Sequence, residues 1–240
     1  MTISQHHTAG LLFLLPCLAF AQAPTEPPVY LRFLRTLGRP DLPLVQSYAT
    51  ADTGVIMLGA TSISGARESW LIELHDSYGA IEDLDQKLNP DTDALIQVGL
   101  YLPNLSYRPD QAVRNLTRAR YFSLTLYRIL PGTDSLFGDL MRARRAAFDA
   151  ANLDRPEMTY RIVSGAPSGT YVIVAPLTSL RLMDNGQARN PAYAESLTEG
   201  AGAANRKLAA DTVVSRENTI LRVQPSLSRV PADFWAPPPQ

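Results

Sequence analysis

Cysteine is nearly absent from this 240-residue chain, which has one, Cys17. Histidine is scarce too, with only His6, His7 and His75. If the first 21 residues are removed, no cysteine and one histidine remain. Such a chain forms no disulfide, offers no thiolate nucleophile and lacks the Cys/His ligand sets of zinc sites. No spaced Asp/Glu loop of the calcium-binding type appears, so no metal and no cofactor is expected. Charge of one sign is also missing: the net charge is −1 and both signs are mixed along the chain. The most basic stretch, Arg142-Ala143-Arg144-Arg145, falls on an expected helix. It reads as a solvated helix face, and no nucleic-acid partner is expected. After residue 21 no run approaches the roughly 20 apolar residues that a membrane-spanning helix takes. There is no phosphate-binding Gly-rich loop. Ser64-Gly65 and Ser164-Gly165 lack the Gly-x-Ser-x-Gly of a nucleophile elbow and read as hairpin turns.

What is present begins with an apolar run from Ala9 to Phe20, closed by Ala19-Phe20-Ala21. A short apolar core with a small-x-small ending is the pattern of a secretory signal peptide. Residues 1–21 are therefore expected to be cleaved near Ala21, placing the protein in the periplasm or outside the cell. The run has no Lys or Arg before it, so the α-amino group is its only positive charge. Lipidation at Cys17 is not expected, because Pro16 stands where a small residue is needed. Residues 22–28 are a Pro-rich linker, and 234–240 a Pro-rich tail.

The chain repeats itself. Pro103-Asn104-Leu105-Ser106-Tyr107-Arg108-Pro109 and Pro225-Ser226-Leu227-Ser228-Arg229-Val230-Pro231 share Pro-x-Leu-Ser-x-x-Pro. Upstream, Ile63-Ser64-Gly65-Ala66 matches Val163-Ser164-Gly165-Ala166. Further upstream, Tyr30 to Arg35 corresponds to Tyr121 to Arg128. Three matches in one order are the signature of a duplicated unit.

In the second copy, residues 121–130 alternate and are rich in β-favouring side chains, predicting a strand. Pro131-Gly132-Thr133-Asp134 is a turn before a helix running to about Ala151. Strands follow at 157–164 and 170–175. A helical region is expected over 189–214, broken or bent at Gly200 and Gly202, and then a strand over 217–224. The order is β-α-β-β-α-β. The first copy places strands near 29–37, 54–62, 69–75 and 95–102. From Tyr30 to Ile63 is 33 residues, against 42 from Tyr121 to Val163. The first helix must therefore be short. The expected architecture is α+β: two tandem ferredoxin-like units, 29–110 and 111–233, packed sheet to sheet as a pseudo-dimeric barrel. With both units in one chain, a monomer suffices to close it.

The Tyr-rich strand, Pro-Gly turn, long helix, Val-Ser-Gly-Ala hairpin and Asp233-Phe234-Trp235 tail resemble a group of exported proteins from soil bacteria. Their units are similar to the dimeric α+β barrel superfamily, which includes antibiotic-biosynthesis-type monooxygenases and NIPSNAP-like proteins. The resemblance spans residues 29–235 and concerns fold. Its implied activities range from cofactor-free oxygenases and isomerases to haem enzymes and proteins without known activity.

Strand alternation then assigns faces. Phe122, Leu124 and Leu126, with Trp70, Ile72 and Leu74, are wholly apolar and are expected to face the helices. That sends Tyr30, Arg32, Leu34 and Thr36, Glu73 and His75, and Tyr121, Ser123, Thr125 and Tyr127 into the barrel. Arg32, Glu73, His75 and Tyr127 would form a partly polar pocket there. His75 beside a carboxylate could act as a general base, and Arg32 could hold an anion or an enolate. Alternatively, Arg32 and Glu73 simply pair across neighbouring strands while His75 ends its strand in solvent. A sharper version has His75 ligate haem, with nothing else marking a haem site. Two function classes follow: binding of a small apolar or amphipathic molecule in the barrel, or a cofactor-independent oxygenase or isomerase in the same pocket.

Overall fold

The structure is a computed structural model that describes residues 23–51, 53–88, 92–184, 191 and 199–235. The expected signal peptide lies outside these residues. So do 189–190 and 192–198 of the expected second helix, and 236–240 of the tail.

Eight antiparallel strands close into one barrel. In the first half they are β1 (Tyr30–Leu37), β2 (Ile56–Ser62), β3 (Glu68–His75) and β4 (Leu95–Tyr101). In the second they are β5 (Tyr121–Ile129), β6 (Met158–Ser164), β7 (Thr170–Leu177) and β8 (Val213–Val223). The helices are α1 (Leu42–Thr50), α2 (Tyr78–Leu88), α3 (Pro109–Leu116), α4 (Asp134–Ala150), α5 (Arg181–Asp184) and α6 (Glu199–Thr212). Around the barrel the order is β1-β3-β2-β8-β5-β7-β6-β4. Each half thus contributes a four-stranded sheet of the same internal order, β4-β1-β3-β2 and β8-β5-β7-β6. The halves meet edge to edge, through hydrogen bonds between β2 and β8 and between β4 and β6.

Local chemistry sets the helix lengths. The Asp41 carboxylate accepts from the Leu44 N–H at 3.0 Å and caps α1, and Pro43 sits in its first turn. That helix has 9 residues against 17 in α4, as the shorter spacing of the first copy requires. The break expected at Gly200 and Gly202 does not occur, and α6 runs through both. Gly202 is buried, so its missing side chain serves helix packing.

Two of the three sequence matches lie on the seams. Pro103–Leu105 and Pro225–Leu227 each form one 3-10 turn, and the serine that follows does the same work twice. Ser106 Oγ accepts from the Thr159 N–H at 2.9 Å and donates to the Leu102 carbonyl at 2.9 Å. Ser228 Oγ accepts from the Gly59 N–H at 3.0 Å and donates to the Gln224 carbonyl at 2.9 Å. Just beyond, Tyr107 pairs with Glu157 and Arg229 with Met57 by reciprocal backbone bonds. Residue 59 must be glycine here: a Cβ would lie 2.5 Å from Leu227 Cβ. The two Ser-Gly hairpins press on the same seams. Ser64 Oγ accepts from the Ile220 N–H at 2.9 Å, and a Cβ on Gly165 would meet the Ile96 carbonyl at 2.0 Å.

The barrel interior is filled by residues of both halves, among them Leu31, Phe33, Leu58, Trp70, Ile72, Phe122, Leu124, Tyr160, Val172 and Val174. Ala112, Val113 and Leu116 of α3 and the tail residue Phe234 pack into the same cluster. A void among Leu31, Leu58, Ile72, Phe122 and Val174 measures about 10 Å³. The sidedness drawn from the sequence is therefore reversed. Trp70 and Ile72, with Phe122 and Leu124, face the axis. Leu34 and Leu71 face α1 and α2, packing on Leu44, Tyr48, Leu84 and Leu88. The wholly apolar set belongs inside because a closed barrel is sealed from water on every side. The helix layer instead supplies polar partners, Tyr48 from α1 and Asp85 from α2, for the charged groups on that face.

Replacing Ser106 or Ser228 with Ala leaves a buried backbone N–H without its acceptor. Each variant should lose about 1–3 kcal/mol of stability, read as a fall in urea midpoint. The double variant should lose close to the sum, since the seams share no partner.

Candidate functional site

Arg32 on β1 stands opposite Glu73 on β3 in the strand register. Both side chains turn outward into the layer covered by α1 and α2. Arg32 Nε donates to Glu73 Oε2 at 2.6 Å and Nη2 to Oε1 at 3.0 Å. This is the fork-to-fork pairing that guanidinium and carboxylate planes favour. The Tyr48 hydroxyl of α1 donates to Glu73 Oε1, and Arg32 Nη1 reaches Asp85 of α2. His75, two residues along β3 and so on the same face, meets Glu73 Oε2 through Nε2 at 2.7 Å.

Burial and charge decide the protonation states. Glu73 is fully covered. Burial pushes its carboxyl up, but the hydrogen bonds from His75, Arg32 and Tyr48 and the charge of Arg32 outweigh it. The net result lies below the usual carboxylate range. Glu73 is thus an anion and can only accept, so His75 Nε2 carries the proton between them. Burial pulls Arg32 down, while Glu73 and Asp85 hold it above its ordinary value. Burial, then the Glu73 charge, raises Tyr48 well above a free phenol.

Of the four residues expected to form one site, three come together and one does not. Arg32, Glu73 and His75 form this network, in the helix layer rather than inside the barrel. Tyr127 lies in the other half, packed on Phe137 with the Arg216 guanidinium 5.5 Å from its ring centroid. Arg32 and Glu73 do pair across strands, but His75 does not end in solvent: its side chain is fully buried. The haem-ligand version fails on geometry, because Nε2 is engaged by Glu73 and the ring is covered. Among the described residues no group of three or more His, Cys, Asp or Glu is arranged to hold a metal ion.

The register shows what the second half puts in the same places. Tyr30 faces His75 and Arg32 faces Glu73; Tyr121 faces Leu177 and Ser123 faces Ala175. Arg32, Glu73 and His75 therefore correspond to Ser123, Ala175 and Leu177, all buried.

His75 also lines a cleft of about 540 Å³. The extended segment Ala23 to Val29, residues Thr53 to Ile56, Leu74, Asp76 and Ala80 complete its walls. His75 Nδ1 is buried and has no hydrogen-bond partner. Buried polar atoms are nearly always paired, and an unpaired one costs about 1–3 kcal/mol. Sequence reasoning missed Tyr48 and Asp85, which reach the network from α1 and α2. The one available signal was the spacing of Leu44, Val45 and Tyr48, which places Tyr48 on the buried face of α1.

A Glu73→Gln variant should lose about 3–5 kcal/mol at neutral pH, because Arg32 stays buried beside a neutral amide. The sign with pH follows from the depressed carboxyl. Its stabilisation is complete above the unfolded-state value of about 4.3 and fades as pH falls through the lower folded-state value. Denaturant midpoints measured from neutral to acid pH should fall less steeply in the variant than in the parent.

No protein-family model matches the chain, and no curated protein matches it by sequence. Solved structures do match in shape. An anthrone oxidase-like protein is 10% identical, with a TM-score of 0.51, covering 87% of this chain and 96% of that one. A proposed chlorite dismutase is 12% identical, with a TM-score of 0.51 and coverages of 84% and 96%. A proposed monooxygenase from Fusobacterium nucleatum subsp. nucleatum is 12% identical, with a TM-score of 0.50 and coverages of 82% and 93%. At such identities the likeness is one of fold alone, an α+β barrel.

Proposed function

We propose that the protein holds a small amphipathic molecule in the cleft beside His75, and not inside the filled barrel. The observation that carries this reading is the asymmetry between the halves. The second half packs the equivalent positions with Ser123, Ala175 and Leu177. The layer folds with neutral residues there, so packing alone does not demand Arg32, Glu73 and His75. Burying charges costs several kcal/mol per ion before pairing returns it. A network kept against that cost, next to a cleft and with one orphaned nitrogen, suits ligand recognition. A ligand hydroxyl that displaced the groups covering the ring would supply Nδ1 with its missing partner, while Glu73 fixes the ring.

A second reading uses the same atoms for catalysis. Glu73 orients His75 through Nε2, which leaves Nδ1 to take a proton from an acidic O–H or C–H of the ligand. This is the arrangement a cofactor-independent oxygenase or isomerase would need. It agrees with the anthrone oxidase-like and monooxygenase names borne by structural neighbours, which share only the fold.

The rest of the chain is read with it. Residues 29–110 and 111–233 are two copies of one ferredoxin-like unit, supported by the equal internal strand orders and the twice-used seam motif. Residues 1–21 are a signal peptide cleaved near Ala21, so the ligand would be met in the periplasm or outside the cell.

Native mass spectrometry of the protein purified from the periplasm tests these points together. The expected polypeptide mass begins at Gln22, and an adduct is lost on denaturation. His75→Ala should keep the circular dichroism spectrum and lose the adduct. Turnover of the identified ligand that vanishes in the variant would select the catalytic reading. An adduct retained in full by His75→Ala, or a parent protein that takes up nothing from a periplasmic extract, would overturn the site.

A further inference from the structure

The helix layer of the second half gathers several guanidinium groups near Tyr127. Arg155 is acted on by the guanidinium groups of Arg144 and Arg216, by the Glu157 carboxylate and by Tyr127. Arg144 engages both Glu157 oxygens. Arg155 Nη2 reaches Ser123 Oγ at 3.2 Å, while its Nε is buried without a partner. Burial, and then the positive charge of Arg144, pulls Arg155 below its ordinary value; Glu157 opposes this and Arg216 adds to it. Arg216 lies over the Tyr127 ring and forms no ion pair among the described residues.

Beside these groups is a cavity of about 210 Å³ between α4, α6 and strands β5 and β8. Arg144, Arg216 and Tyr127 line it together with Leu140, Met141 and Val213. The lining is thus cationic and apolar at once, and it contains no acidic residue. Size narrows the occupant, because an apolar cavity of about 150 Å³ takes up benzene. The larger space here admits one ring and a carboxylate group.

We infer that this cavity is a binding site for a small aromatic carboxylate. Arg216 receives the carboxylate, and the apolar wall of α4 and β8 receives the ring. The guanidinium fork matches the carboxylate plane. The site is separate from the His75 cleft and lies in the other half of the chain.

Isothermal titration of the full-length protein with benzoate is the test. The expected result is binding that weakens as salt is raised, with no comparable uptake of benzyl alcohol. Arg216→Gln changes an exposed residue, so the fold should persist while affinity drops by about tenfold or more. Ala209 lines the cavity from α6, and Ala209→Phe should fill it and abolish binding. His75→Ala should leave benzoate affinity unchanged, so failure here and failure of the first site are distinguishable. Equal affinity in Arg216→Gln and the parent, or no benzoate binding by the parent at millimolar concentration, overturns the proposal.

Discussion

A sheet built from two four-stranded pieces loses its exposed edges only if both of its seams close. Here two serine hydroxyls hold them. Ser106 and Ser228 each accept a backbone N–H from the opposite half and return a bond to their own turn. Reciprocal backbone pairs beside each serine lengthen the seam. Everything else depends on this closure. It creates the dry interior, fixes which strand faces point outward, and so places Arg32 and Glu73 beneath the helices. Gly59 shows how little slack the first seam has, since its backbone lies directly against Leu227.

Closure also explains where a ligand can and cannot go. Eight strands give an interior just wide enough for side chains to fill, and Phe33, Trp70, Phe122 and Tyr160 fill it. Among the described residues, space for other molecules lies in the outer layer, between sheet and helices and along the amino-terminal segment. The His75 cleft and the Arg216 cavity both lie there, one in each half. The polar chemistry of the protein follows the same division, with Arg32, Glu73 and His75 gathered on one side and the arginines around Tyr127 on the other.

The two halves share a backbone plan but not a chemistry. Equivalent register positions carry a charged network in one and Ser123, Ala175 and Leu177 in the other. Each half does bury charge, but at different positions: Arg32 with Glu73 in the first, Arg144 with Glu157 in the second. The short α1 belongs to the same divergence. It brings Tyr48 onto Glu73, whereas the long α4 brings Phe137 between Tyr127 and Tyr171.

By itself the sequence determined the strand order of each half, the strand positions to within a few residues, and the repeated motifs, but not the helix Pro109–Leu116. Those rest on local rules: alternation in the strands, turn residues at the hairpins and helical spacing in α4. It also put Arg32 against Glu73 and His75 beside them, because neighbouring strands and a two-residue step along β3 suffice. The tertiary structure alone decided which face of each strand is the inside. A period of two separates the faces without naming them, and only the closed barrel shows which is sealed from water. It alone parted Tyr127 from the other three, since β1 and β5 lie in different halves. It alone gave the repeated serines their role, by joining atoms 169 positions apart in the case of Gly59 and Ser228. No local pattern in the chain encodes a contact of that length; it exists because the barrel closes.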